Sequence, residues 1–152
     1  MKFIAITFLL LSTFYFSQEI DCPVENGVTY HKEYSEYTTM KMCYLGTPSK
    51  STNIHSETSF FVKSVSDGKI ASIIRTSNLS SVLVRKGDEF YVYGYLSSIN
   101  VKKGDEVKIG DKIGEINKKS EFSDYGDYVL DFQYWQKTEP IDVFNQLKCI
   151  KK

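Results

Sequence analysis

Histidine is nearly missing from this sequence. Its 152 residues contain only His31 and His55, so chemistry that needs several imidazoles as metal ligands or proton carriers has little to draw on. No two of the three cysteines, Cys22, Cys43 and Cys149, stand in Cys-x-x-Cys spacing, which argues against a paired-thiolate zinc or redox motif. Proline and glycine are scarce, at 3 and 9 residues, beside 11 tyrosines and 10 phenylalanines. That balance favours packed β-structure over disorder. Charge of one sign is absent too: 19 Lys and Arg meet 19 Asp and Glu. The lysines between Lys102 and Lys119 alternate with Asp105, Glu106, Asp111 and Glu115, so they form a mixed solvated face and no basic stripe for nucleic acid.

The one long apolar run, Phe3–Phe16, follows Lys2 and ends at Ser17-Gln18. Too short and wrongly flanked for a stable membrane span, it predicts a secretory signal peptide over residues 1–18, cleaved after Ser17 or Gln18. A lipid anchor on Cys22 is disfavoured, because Glu19-Ile20-Asp21 lacks the small residues such a signal carries. Export places the three cysteines in an oxidising compartment, where one disulfide is expected. Cys149 is expected to join Cys22 or Cys43 in the N-terminal segment. The protein is expected to be secreted or periplasmic, with no membrane span after cleavage. A chain of this length holds one ordinary domain.

The organising stretch is Val101–Ile116, VKKGDEVKIGDKIGEI. Gly104-Asp105 and Gly110-Asp111 punctuate short apolar pieces. Glycine supplies the positive φ of a tight turn, and aspartate can bond the backbone two residues on. Two very short strands folded by turns are therefore expected, since a helix here would carry three glycines at about 0.8–1 kcal/mol each. Phe60–Ser64 and Ile70–Ile74 flank an Asp67-Gly68 turn. Ser81–Val84 and Phe90–Tyr93 flank a hairpin loop at Gly87-Asp88. Ser120–Asp127 reads as a polar loop, Tyr128–Trp135 as an alternating strand, and Asp142–Lys148 as a terminal helical turn. Glu19–Ser59 shows little periodicity and is expected to be irregular or edge-strand, with one helical turn around His31–Tyr37. Short strands at this spacing predict an all-β barrel or sandwich.

Read in order, these segments resemble the lysostaphin-like zinc endopeptidases that cut peptidoglycan cross-bridges. Phe61–Ile70 resembles their opening strands, and Phe90–Leu96 their Tyr-x-His-Leu strand. Ile99–Ile116 matches their Val-x-x-Gly-Asp-x-Val-x-x-Gly-x-x-Ile-Gly segment, the most specific part. Val129–Gln133 stands where they carry His-x-His-Phe-Glu, and Glu139–Asp142 resembles the Val-Asp/Asn-Pro close of the domain. The resemblance spans Ser49–Leu147. It implies a duplicated hybrid motif, a barrel-sandwich hybrid of short antiparallel strands with a groove on one face. Residues 51–148 would be the domain, and 19–50 an irregular N-terminal extension.

The chemistry departs from that family. Its zinc is held by a His and an Asp four residues apart, plus the second His of His-x-His. The resemblance puts Ser49, Asn53 and Asp131 at those three positions, and Tyr95 and Val129 where two catalytic histidines stand. Catalytic zinc needs three protein ligands and an open fourth position. Only Asp131 is ionisable here, so neither bound zinc nor a catalytic residue is expected. Without the metal, water keeps a pKa of about 15.7 instead of about 7.

Tyr93, Tyr95, Phe132, Tyr134 and Trp135 fall on the two strands lining the former groove. They can stack on a sugar or peptide, or fill the space left by zinc and histidines. Strand alternation puts Tyr93 with Tyr95 on one face, and Asp131 with Gln133 and Trp135 on one face opposite Phe132 and Tyr134. Tyr93, Tyr95, Asp131, Gln133, Trp135 and His55 are the candidate groove-binding residues. Met40-Lys41-Met42 matches a biotinylation tripeptide but lacks the half-barrel that should precede it, and Asn78-Leu79-Ser80 reads as a loop. The resulting expectation is an exported, catalytically inactive peptidoglycan-endopeptidase-like domain that binds or regulates in the cell envelope. A peptidoglycan stem peptide or an envelope protein would be its partner. The alternatives are an active zinc endopeptidase with a rearranged site built on His55 and Asp131, and a structural interaction domain with a filled groove.

Overall fold

Val129–Gln133 and Tyr91–Gly94 are buried on both faces and build the centre of a β-sheet, and the rest of the described chain is laid against it. The computed structural model describes residues 19–30, 50–76, 80–116 and 128–152. The expected signal peptide, the turn around His31–Tyr37, Met40-Lys41-Met42, Cys43, Ser49, Asn78-Leu79 of the sequon and the Ser120–Asp127 loop lie outside the described residues, while Ser80 of the sequon opens a strand. Among the described residues there is no helix. Eleven strands are present: β1 (Val28–Thr29), β2 (Thr52–Ser56), β3 (Phe61–Lys63), β4 (Gly68–Arg75), β5 (Ser80–Lys86), β6 (Glu89–Ile99), β7 (Glu106–Val107), β8 (Lys112–Ile116), β9 (Tyr128–Gln136), β10 (Glu139–Ile141) and β11 (Ile150–Lys151).

The main sheet runs β11-β1-β2-β9-β6-β5-β4-β7, with β10 beside β9 and β8 bridging β6 to β3. Every pairing is antiparallel except β1 with β11. The fold is the expected all-β arrangement of short strands. β5 and β6 form the hairpin expected at Gly87-Asp88, with Lys86 opposite Glu89 and Gly87 at φ 61°.

The Gly-Asp stretch makes two equivalent turns, with Gly104 at φ 96° and Gly110 at φ 91°. Asp105 and Asp111 bond backward, not forward: each Oδ2 accepts an N–H three residues earlier, from Lys102 and Lys108, at 2.8 Å. β7 and β8 do not pair with each other. The first turn docks on Ile70 and the second on Ser64 through backbone bonds of 2.8–2.9 Å. The expected terminal helical turn is one isolated turn, with the Gln146 and Leu147 N–H groups bonding the Val143 carbonyl.

One face of the main sheet carries Ile54, Val82, Val84, Tyr91, Tyr93, Leu96, Leu130 and Phe132, which share a core with Val62, Ile113 and Ile116 of β3 and β8 and with Val24. The first residues are bound to the last. Ile20 and Val28 pair alongside Leu147 and Ile150, and a disulfide joins Cys22 to Cys149, one of the two pairings expected.

Candidate functional site

β2, β9 and β6 lie side by side, and their register decides which side chains meet. Asn53 is directly opposite Asp131, which is directly opposite Gly94; His55 faces Val129. Asn53 and His55 alternate with the core residue Ile54, so they share the outer face of the sheet with Val129, Asp131, Gln133 and Trp135. Thus the two described positions expected at the ancestral metal site, Asn53 and Asp131, are cross-strand neighbours. His55 is a diagonal neighbour of Asp131, on the order of 7 Å away by strand geometry.

The three polar groups of β9 form a buried chain. Trp135 Nε1–H donates to Gln133 Oε1 at 3.1 Å, and Gln133 Nε2–H donates to Asp131 Oδ2 at 2.9 Å. This bears out the one-face reading of Asp131, Gln133 and Trp135. Trp135 also packs on Leu83 and Val92, with Ala71 and Phe90 beside them. Asp131 is 3% exposed. Burial pushes its carboxyl above the ordinary carboxylate range, while bonds from Gln133 and Ser51 work against that rise. A Cβ on Gly94 would stand 3.0 Å from Asp131 Oδ2, so the carboxylate occupies room that glycine leaves.

Tyr93 and Tyr95 do not share a face, contrary to simple alternation. Between Tyr93 and Leu96, β6 advances three residues while β5 advances two, from Val82 to Ser80. That extra residue is a β-bulge, and Tyr95 takes up the strain at φ 63°. Tyr93 therefore enters the core, edge-on to Phe132 with ring centroids 5.4 Å apart, its hydroxyl accepting the Val65 N–H at 3.0 Å. It does not line the outer face. Tyr95 turns outward, beside Asp131; burial first, and then the Asp131 charge, push its hydroxyl up to about 12.

All of these outer-face side chains are buried: Asn53 and His55 at 8%, Tyr95 at 4%, Trp135 at 2% and Gln133 at 1% exposed. His55 meets the ring of Tyr30 edge-on at 4.9 Å. Sequence reasoning passed over β2, whose Thr-Asn-Ile-His-Ser run shows no apolar–polar alternation because both of its faces are covered. It also passed over Gly94 and Ser51. A glycine inside a strand pattern was the available signal for the bulge.

The donor set does not fit zinc. Asp131 already accepts from Gln133 and Ser51, the position across from it is an amide, and neither Val129 nor the phenol of Tyr95 adds a good zinc donor beside them. Among the described residues no three His, Cys, Asp or Glu side chains are grouped to hold one metal ion.

The profile describing Peptidase family M23 matches residues 47–143. The chain belongs to peptidase family M23. It is a degenerate, lysostaphin-like member, as the order of its strand motifs implied. Several solved structures share its fold. A chain of the SpoIIQ–SpoIIIAH pore-forming complex matches with TM-score 0.63 at 21% identity, over 86% of this chain and 92% of that one. Csd3 of Helicobacter pylori matches with TM-score 0.59 at 20% identity, over 86% of this chain and 33% of that one. The antimicrobial peptidase lysostaphin from Staphylococcus simulans matches with TM-score 0.51 at 23% identity, over 62% and 41%. This M23 chain thus spans a third of Csd3 and two fifths of lysostaphin. At these identities the likeness is one of fold. No curated protein sequence matches the chain. Among the described residues, no helix is long and apolar enough to cross a membrane.

Proposed function

We propose that this M23 protein is an exported, catalytically inactive domain that serves as a binding or regulatory module of the cell envelope. The observation that carries this reading is the state of Asp131. The one carboxylate among the expected ligand positions is buried, faces Asn53, and is held by Gln133, which is held in turn by Trp135. A carboxylate already engaged by Gln133 and Ser51, with an amide across from it, is a poor start for the three protein ligands that catalytic zinc needs. Export is supported by the signal-like residues 1–18 and by the Cys22–Cys149 disulfide, a bond that persists in oxidising compartments.

The buried floor favours one partner class over the other. Tyr95 and Trp135 have almost no surface to offer a sugar or a stem peptide, so contact with an envelope protein through the outside of the domain is the better-supported use. A chain of like fold occurs in the SpoIIQ–SpoIIIAH complex, which is consistent with that use. The rival enzymatic reading keeps one supporting fact, the placement of His55 on the Asp131 face.

The test is metal analysis of the purified mature protein after equilibration with zinc, followed by a muropeptide cleavage assay and a pull-down on insoluble peptidoglycan. The expected result is substoichiometric zinc, no cleavage and no retention. Stoichiometric zinc with chelator-sensitive cleavage would overturn the inactive reading. Retention on peptidoglycan without metal would replace the protein partner with the wall itself.

A further inference from the structure

Asn26-Gly27 is the one Asn-Gly step in the sequence, and two separate demands of the fold put it there. Val24–Gly27 is a tight turn, in which the Gly27 N–H donates to the Val24 carbonyl at 3.0 Å and Asn26 stands third at φ 55°. Positive φ at that place is the mark of a type II turn, and asparagine adopts it more readily than other residues with a side chain. Glycine follows for a different reason. A Cβ at Gly27 would lie 2.7 Å from Cys22 Sγ, 2.7 Å from Ile54 Cγ2 and 2.9 Å from the Val24 carbonyl oxygen. The exposed carboxamide of Asn26 is thus followed by a residue with no side chain to shield its nitrogen.

That pair of residues has a chemistry of its own. Once it gives up its proton, the Gly27 nitrogen can attack Asn26 Cγ. The new N–Cγ bond closes a five-membered imide, the Cγ–Nδ2 bond breaks, and ammonia leaves carrying a proton from solvent. Water then opens the imide, giving either aspartate or isoaspartate, whose main chain runs through Cβ and Cγ. The fold opposes the first step at several atoms. The Gly27 N–H is engaged by Val24, and the Gly27 carbonyl accepts the Ile150 N–H at 2.8 Å. Ring closure also needs the Asn26 ψ turned away from the value of about 0° that such a turn holds. Cys22 Sγ lies 3.9 Å from the Gly27 carbonyl oxygen, so the disulfide to Cys149 fixes the nucleophile together with the strand it precedes.

We propose that Asn26 is a deamidation site latched by the Cys22–Cys149 disulfide. A dithiol reductant, giving the bridge two electrons and two protons, releases the turn and lets the Gly27 nitrogen close on Asn26. The change is one-way. Isoaspartate lengthens the backbone inside the turn, so the Gly27 bonds to Val24 and Ile150 do not both re-form. β1 then loses its register on β11 and on His55 of β2. A reversible reduction becomes a permanent mark on the chain.

The experiment follows the mature protein by peptide-mapping mass spectrometry at mildly alkaline pH, oxidised and in the presence of a phosphine reductant. The readout is conversion of amide to acid in the peptide that holds Asn26, with Asn100 as the internal reference and Trp135 emission as the measure of an intact sheet. Reduction is expected to speed conversion at Asn26 by about tenfold or more, because the bridge strongly favours the closed clasp. Asn100 should be unaffected, and Cys22→Ser/Cys149→Ser should convert at the faster rate without reductant. Equal rates in the oxidised and reduced forms would overturn the latch. Acceleration that comes only with loss of the buried Trp135 emission would assign it to global unfolding and overturn the latch as well.

Discussion

Asp131 is the residue on which the site turns. Its carboxyl binds a proton more tightly in the folded chain than the ordinary 3.8, because burial opposes the charged form. A group with a raised folded value favours the native state while protonated, and that advantage is lost as pH climbs from the ordinary carboxylate value through the folded one. Asp131→Asn keeps an acceptor for Gln133 and removes the titration. Urea unfolding midpoints of the two proteins from about pH 4 to pH 8 should therefore diverge, the wild type losing stability relative to the variant as pH rises. Parallel curves would refute the burial account. At this scale strand periodicity made the Asp131–Gln133–Trp135 side legible in the sequence. Tyr95 was not legible, because a bulge changes backbone register without changing residue type. A left-handed tyrosine costs about 1–2 kcal/mol, and burying such a ring contributes more, about 1.5–3 kcal/mol, so packing wins over local preference.

Among the elements, the paired Gly-Asp turns join the sequence most directly to the fold. Each places a glycine at positive φ with open space around its Cα, so a methyl group there meets no neighbour and the cost is conformational only. Gly104→Ala and Gly110→Ala should each destabilise by about 1–2 kcal/mol. The turns dock on Ile70 and on Ser64 separately, so the double variant should lose the sum within about 0.5 kcal/mol. Denaturant titration of the four proteins measures this, and a double variant no worse than either single would show that the turns act as one unit. These turns, like the Gly87-Asp88 hairpin, were legible because positive φ leaves a mark in composition. β2 left none: its Asn and His face a covered sheet surface, and burial of polar residues on both faces erases the alternation by which strands are read. The direction of the Asp105 and Asp111 bonds was likewise invisible, since the same residue can cap a turn from either end.

At the scale of the whole molecule, the first described residues are closed onto the last. Ile20, Val28 and Cys22 meet Leu147, Ile150 and Cys149, with exposed Lys148 near Glu19 and Asp21 adding little. A parallel pairing between segments this far apart in sequence has no local signature, which is why the N-terminal segment read as irregular. The order of family motifs, by contrast, conveyed the architecture between them. The bridge spans 127 residues, so its reduction should cost about 5 kcal/mol in the chain-entropy account. The melting temperature should then fall by on the order of 10 °C. Thermal unfolding of Cys22→Ser/Cys149→Ser beside the oxidised protein measures this, and equal midpoints would show the strand pairing to suffice alone.

The same bond has a mechanical meaning. The two bridged Cα atoms are 4.9 Å apart, so a pull applied to the chain before residue 22 and after residue 149 runs through sulfur and bypasses everything between them. Under such a load the strands from β1 to β10 stay slack, and only the short β11, beyond Cys149, feels the pull. Reduction would reroute that load into the hydrogen-bond ladder.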